Sequence, residues 1–219
     1  MKRLLSNITS LVILLLFFSC NSSGQPKGKS ADGGVRKVNL TASKGIAIAS
    51  FAEGCFWCSE HIFEELAGVD SAVSGYAGGK VVNPTYEQVC TETTGHAETV
   101  LVYYNPKVIS YSQLLDAFFS SHDPTTLNRQ GPDVGTSYRS AIFYLTAEEG
   151  ELAKKAVQKW TPAFKKKIVT EIKPLTAFYR AEEYHQNYVE YNPSSGYVQN
   201  VSMPRFDLFK RTCKLTMKR

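Results

Sequence analysis

No apolar run in this 219-residue chain approaches the roughly 20 residues that a membrane-crossing helix needs; the longest, residues 11–18, has eight. An excess of one charge is missing too. Twenty-five Lys and Arg stand against 20 Asp and Glu, a net +5, too mild for a nucleic-acid surface, which concentrates basic residues on one face. No segment repeats at a fixed period, which argues against solenoids and propellers. What is present is ordinary globular material: 43% hydrophobic, 21% charged and 12% aromatic residues, enough to bury a core.

The first twenty residues stand apart. Lys2 and Arg3 precede the apolar run 11–18, and Ser19-Cys20 follows it. That is the order of a secretory signal: charged, apolar, then small. The Phe17-Phe18-Ser19-Cys20 ending resembles a bacterial lipobox, whose cysteine is lipidated and becomes the first mature residue; a simply cleaved signal is the alternative. The expectation is a signal peptide over 1–19 and a domain exported to the bacterial cell envelope, anchored through a lipid at Cys20. Removing 1–19 leaves 23 basic and 20 acidic residues, a net +3. Residues 20–44, small, polar and glycine-rich at their start, read as a flexible tether. Export leads to an oxidising compartment where thiols pair, so Cys55, Cys58, Cys90 and Cys213 also allow two structural bridges.

From Gly45 the pattern changes. "IAIASFA" reads as a buried strand, Gly54 as a tight turn, and the stretch from Cys55 as a helix with Phe56, Ile62, Phe63 and Leu66 on one face. "GVDSAVSGYAGG", "HAETVLVYYNP", "SYRSAIFYLT" and "KKKIVTEIKPL" read as further strands. "SYSQLLDAFFSSHD", "AEEGELAKKAVQKW" and "RAEEYHQNYVEY" read as helices. This alternation predicts an α+β domain over 45–192, a mixed sheet with flanking helices. Residues 193–219 open Pro/Ser/Gly-rich and read as an irregular basic tail carrying Cys213.

Three chemistries fit Cys55 and Cys58, separated by Phe56-Trp57. A cysteine at a helix start lies near the positive dipole end and unpaired N–H groups, which favour a thiolate nucleophile. A zinc clip would use Cys55, Cys58, Cys90 and His96, although Phe-Trp fills such a knuckle poorly. A disulfide would pair Cys55 with Cys58, or Cys90 with Cys213. A thioredoxin-like oxidoreductase shares the spacing, but the proline expected between its cysteines and its cis-proline segment are missing.

Five blocks in order, "GCFWCSE", "SGYAGG", "NPTYEQVCTETTGHAE", "QGPDVGTSYRSAIF" and "AEEYHQNY", resemble the A-type peptide methionine sulfoxide reductases over about residues 46–192. The resemblance implies an α/β-plait (ferredoxin-like) fold and reduction of methionine (S)-S-oxide, in oxidised proteins or peptides and as the free amino acid, without metal or organic cofactor. It implies Cys55 as nucleophile, Glu98 as acid, and Tyr86 and Tyr138 on the sulfoxide oxygen. Phe56 and Trp57 become a cup for the S-methyl group, Asp133 holds the substrate backbone or waters, and His185 and Tyr188 wall the pocket. The commoner family pattern has glycine where this chain has Cys58. Cys58 lies within one helical turn of Cys55 and is the preferred resolving thiol; Cys213, between Lys210-Arg211 and Lys214, is the alternative or a relay. Cys90 reads as buried and inert. Electrons would come from a thioredoxin-like dithiol protein.

Overall fold

The computed structural model describes residues 36–218. The expected signal segment 1–19, Cys20 and the first part of the tether lie outside the described residues. The strands are β1 (Arg36–Lys37), β2 (Ala47–Glu53), β3 (Val69–Ala77), β4 (Ala97–Tyr104), β5 (Arg129–Gln130), β6 (Asp133–Val134), β7 (Ser140–Tyr144), β8 (Glu171–Pro174) and β9 (Phe178–Arg180). The helices are α1 (Phe56–Glu64), α2 (Tyr86–Cys90), α3 (Tyr111–Ser121), α4 (Ala147–Trp160), α5 (Tyr188–Tyr191) and α6 (Met203–Thr212). Among the described residues seven strands share one mixed sheet, ordered β1-β9-β3-β4-β2-β7-β8. Every step is antiparallel except β7–β8, which is parallel. The fold is α+β, as expected. Arg36–Lys37, expected in the tether, pairs instead with Tyr179 and Arg180 at the sheet edge.

Strand alternation sorts the core. Ala49 and Phe51 of β2, Val100, Val102 and Tyr104 of β4 and Ile142 of β7 are buried with the apolar faces of α1, α3, α4 and α6. Ile48 and Ala52, Leu101 and Phe143 form a smaller cluster, with Val38, Leu40, Leu145 and Leu175 packed against it. Glu53 has the parity of Phe51, and Glu98 that of Val100, with Phe51 opposite Val100 in the register. Two neighbouring strands therefore present a carboxyl each toward the helical side at the same end. Local sequence fixes the helix starts: Thr85 with Gln88, Ser110 with Gln113 and Thr146 with Glu149 form reciprocal capping boxes. At α1 the chain turns on Gly54, φ +96°, where a Cβ would sit 2.5 Å from Gln130 Cβ; only glycine suits that backbone and that approach.

Two expectations fail. "RAEEYHQNYVEY" is not one helix: Phe178–Arg180 is a strand, Glu183–His185 a single 3-10 turn, and Asn187 at φ +51° adopts a left-handed conformation before the short α5. Asparagine tolerates that conformation better than other non-glycine residues. Nor are residues 193–219 an irregular tail. A π-helical turn, Val198–Ser202, runs into α6, with Pro204 in the first turn, where its missing N–H costs little. Phe206 and Phe209, three apart and so on one face, are buried in the main core. Met217 then bridges to Leu66. Phe209→Ala should cost about 3–5 kcal/mol, read as a lowered urea midpoint; a disordered tail would leave that midpoint unmoved.

Candidate active site

Glu98 opens β4 paired with Tyr76 of β3, beneath the start of α1. Its Oε2 accepts the Phe56 N–H at 3.0 Å, one of the donors that a helix leaves free in its first turn. Glu98 is 3% exposed. Burial pushes its carboxyl up to about 8, opposed by the Phe56 N–H and reinforced by Asp133, Cys58 and Glu92. At neutral pH it is mostly a carboxylic acid.

Cys55 is the residue before α1, and its side chain makes no capping bond. Together with Phe56, Trp57, Tyr86, Glu98, Asp133, Tyr138 and Tyr197 it lines a cavity of about 190 Å³. The expected helix-start thiolate is not what the environment produces. Burial pushes the Cys55 thiol well up, and a hydrogen bond to Cys58, the charge of Cys58 and that of Glu98 add to it. The physical reason is local: Cys55 is buried, and the Phe56 N–H already serves Glu98.

Cys58, by contrast, is brought down to about 6, first by the Cys55 hydrogen bond, against burial, then by the Arg205 charge and a hydrogen bond with Ser202. Of the two sulfurs, Cys58 is the one that these neighbours favour as the thiolate. Cys58 lines a second cavity of about 920 Å³ with Arg205. Asp133 and Tyr197 line both cavities, and the Tyr197 hydroxyl donates to Asp133 Oδ2 at 2.6 Å between them. The Tyr197 hydroxyl also faces Cys55 and opposes the rise of its thiol.

Tyr86 and Tyr138 both reach the smaller cavity, and burial holds both phenols above their ordinary range, neutral and able to donate. Cys90 is exposed, not buried as expected, because short α2 turns it outward.

His185 and Tyr188 do not line the cavity; they stand behind Trp57. Trp57 Nε1–H donates to His185 Nδ1 at 3.1 Å, and the Tyr188 ring stacks on the indole at 3.7 Å and 8°. Burial lowers His185 to about 4, so it is neutral and accepts that bond. The segment carrying them is strapped down by its polar residues. Glu182 accepts from the Tyr76 hydroxyl and the Tyr86 N–H, Gln186 bonds the Ser74 backbone both ways, and Asn187 N–H donates to Glu60.

Cys213 lies elsewhere. It follows α6, half-buried beside Trp160, Lys159 and Leu215, about 12 Å along the helix beyond Arg205 at 1.5 Å per residue. The zinc alternative lacks its geometry: among the described residues no three His, Cys, Asp or Glu side chains are placed to hold a metal ion together, and the His96 ring is engaged by the Gly79 N–H and the Val81 carbonyl. Sequence reasoning missed Tyr197, Ser202 and Arg205, all on the segment taken for a tail. The apolar spacing Met203, Phe206, Phe209 after Ser202, with Pro204 in the first turn, is the signal that would have found their helix.

The family model described as peptide methionine sulfoxide reductase matches residues 47–216. A peptide methionine sulfoxide reductase MsrA 1 of Rhodopirellula baltica is 49% identical over 174 residues, 80% of this chain and 91% of its own length. The MsrA of Pasteurella multocida is 52% identical over 158 residues, 72% of this chain and 91% of its own. Among solved structures, reduced Mxr1 of Saccharomyces cerevisiae superposes with a TM-score of 0.67 at 38% identity, covering 74% of this chain and 91% of that one. Methionine sulfoxide reductase A of Corynebacterium diphtheriae gives 0.65 at 36%, covering 70% and 78%. With a buried thiol and a neutral carboxyl on one small cavity, the chain belongs to the A-type peptide methionine sulfoxide reductases, oxidoreductases that return methionine (S)-S-oxide to methionine at the expense of thiols.

Proposed function

We propose that Cys55 attacks the sulfoxide sulfur while Glu98 protonates the departing oxygen, and that Cys58 then closes a disulfide with Cys55. The observation that carries this reading is that Glu98, neutral up to about pH 8 and pinned by the Phe56 N–H, shares the 190 Å³ cavity with Cys55. Phe56 and Trp57 give the S-methyl group an apolar seat. Tyr86 and Tyr138 supply neutral O–H donors for the sulfoxide oxygen, and Asp133, held by Tyr197, faces the remainder of the substrate. His185 and Tyr188 act through Trp57 by fixing its plane.

In the first half-reaction the Cys55 S–H and the sulfoxide become a sulfenic acid and a thioether. Attack joins Cys55 Sγ to the sulfoxide sulfur as its S–O bond breaks, and the oxygen leaves as water with the thiol proton and the Glu98 proton. Water then adds its oxygen to Cys55 Sγ as that sulfur–sulfur bond breaks, which releases the thioether and returns a proton to Glu98. In the second, the Cys58 thiolate attacks the Cys55 sulfur. The S–S bond forms, and the hydroxyl leaves as water with the Glu98 proton. Cys58 is three residues from Cys55, so little backbone movement is needed. A thioredoxin-like dithiol would reduce the bridge. Export and lipid attachment through Cys20 belong to the same proposal and rest on the sequence of residues 2–20. We also read the unit β2-α1-β3-β4-α3-β7 as an α/β plait, supported by its sheet order β3-β4-β2-β7.

Three outcomes follow. Cys55→Ser should give no methionine from a sulfoxide peptide, and turnover in that variant would remove the mechanism. Glu98→Gln should slow the first half-reaction by about 10²–10⁴-fold. The active form of Glu98 is protonated and is lost as pH rises through about 8, so the wild-type single-turnover rate should carry a falling limb there that is missing in Glu98→Gln. Cys58→Ser should release one methionine per chain and then stall as a sulfenic acid trapped by dimedone. Peptide mapping that finds a Cys55–Cys213 bridge in the wild type would reassign the resolving thiol.

A further inference from the structure

We infer that Arg205 is a positioning residue for the resolving step: clamped by Glu53 and the Ser121 carbonyl, it acts with the Ser202 hydroxyl to hold the charge of Cys58 until Cys55 has been oxidised. This rests on Cys58 being the resolving thiol. Arg205 Nη2 donates to Glu53 Oε1 at 2.7 Å, and Nε donates to the Ser121 carbonyl at 2.8 Å. Glu53 Oε2 in turn accepts the Ser121 hydroxyl at 2.6 Å. The guanidinium is thus fixed on two sides, and Cys58 lines the same cavity. Cys58 Sγ and Ser202 Oγ lie 3.2 Å apart; with the sulfur ionised, the hydroxyl is the donor.

Stability alone is a weak reason for this arrangement. A buried ion pair often contributes no more than well-packed apolar residues of the same volume, and Glu53 is fully buried. Burial also lifts Glu53 to about 7, even with Arg205 and Ser121 opposing the rise. Burial thus works against the Glu53 charge that would cancel Arg205.

Besides the Cys55 hydrogen bond, which is the largest favourable influence, and Ser202, the groups that face Cys58 oppose its ionisation or are neutral. Glu53 comes from β2, Glu98 from β4, Asp133 from β6 and Tyr197 from the segment before α6, while Cys55 donates its S–H. His122, 3.7 Å from Glu53, is held neutral by burial, down to about 3. Arg205 is the cation set against these acids, and it stands outside the sulfoxide cavity.

The step that this serves is balanced. Cys58 S⁻ attacks the Cys55 sulfenic sulfur; the S–S bond forms as the S–OH bond breaks, and water leaves with a proton from Glu98. The Cys58 sulfur is oxidised as the Cys55 sulfur falls from sulfenic to disulfide level. A thiolate is the attacking species, and its population sets the rate.

The test uses the full chain carrying Arg205→Met, Arg205→Lys or Ser202→Ala, with folding checked by circular dichroism. In a Cys55→Ser background, alkylation of Cys58 by iodoacetamide is followed against pH by peptide mass spectrometry. Arg205→Met should move the half-maximal pH upward by about one unit or more, as loss of a nearby opposite charge does. Arg205→Lys should restore part of the shift, and Ser202→Ala should move it upward by less. With Cys55 present and no reductant, the dimedone-trapped sulfenic acid should outlive the wild type's by about tenfold at pH 7 in Arg205→Met, and should shorten again at higher pH. An unchanged Cys58 profile in a folded Arg205→Met chain overturns the inference. Should that variant not fold, an unchanged profile in both Arg205→Lys and Ser202→Ala does the same. The methionine released before any bridge forms reports the first half-reaction, so failure of the Cys55 and Glu98 roles is read separately. Bridge formation in Cys58→Ser would strike the resolving assignment without touching the alkylation result.

Discussion

The site depends on one hydrogen bond, from the Phe56 N–H to Glu98 Oε2. A buried carboxyl without a donor would be costly, and a helix start without an acceptor would leave an orphan N–H. Each solves the other's problem, and the solution fixes where the acid lies relative to Cys55. It also explains the turn at Gly54: the chain must leave β2 and begin α1 directly above the end of β4, and no side chain fits between that turn and Gln130. The bond lowers the carboxyl's pKa, but burial wins, and the balance near 8 suits a group that must donate a proton at neutral pH.

Burial pushes both thiols up, but the two sulfurs end on opposite sides of the ordinary range because their neighbours differ. Cys55 sits among two carboxyls, three phenols and two further aromatic side chains, and burial favours its protonated form. Cys58, one turn along α1, meets a guanidinium and a hydroxyl from α6 and the turn before it, and its proton is shed. Charge on the reduced pair is therefore favoured on the sulfur away from the sulfoxide cavity. A nucleophile kept protonated until substrate arrives is also protected, since oxidation follows thiolate character and exposure, and Cys55 has little of either.

Much of this was legible in the sequence, for identifiable reasons. The strands of the sheet's centre have clean apolar runs, Ser110 marks the start of α3, and Gly54 between an apolar run and an amphipathic stretch marks a strand-to-helix turn. Cys55, Glu98, Tyr86 and Tyr138 do converge. What failed depends on tertiary context. His185 and Tyr188 were placed on the cavity wall, but their rings brace the far side of Trp57, an orientation that one-dimensional spacing does not encode. The Pro193-Ser194-Ser195-Gly196 run reads as the end of a domain, yet it is only a connection to α6, whose apolar stripe is short and lies among basic residues. A helix start favours a thiolate through its dipole and free N–H groups, but at Cys55 the nearest of those, the Phe56 N–H, is taken by Glu98 from a strand distant in sequence.

The position of α6 carries a consequence for Cys213. A cysteine between cations on a free tail would be a ready partner for Cys55, but this helix is not free. Phe206 and Phe209 are buried in the core, Arg205 is tied to Glu53 and Ser121, and the Cys213 N–H closes the helix on the Phe209 carbonyl at 2.8 Å. Bringing Cys213 to Cys55 would require withdrawing two phenylalanines from the core and breaking a buried ion pair, a cost of several kcal/mol. Cys58 needs none of this. Residues three apart in a helix face the same way, so a local loosening of the first turn brings the sulfurs together. The segment that would have to move for Cys213 to act carries the Arg205 and Ser202 proposed to hold the Cys58 charge, so on that proposal the two routes compete and the packed helix favours the shorter one.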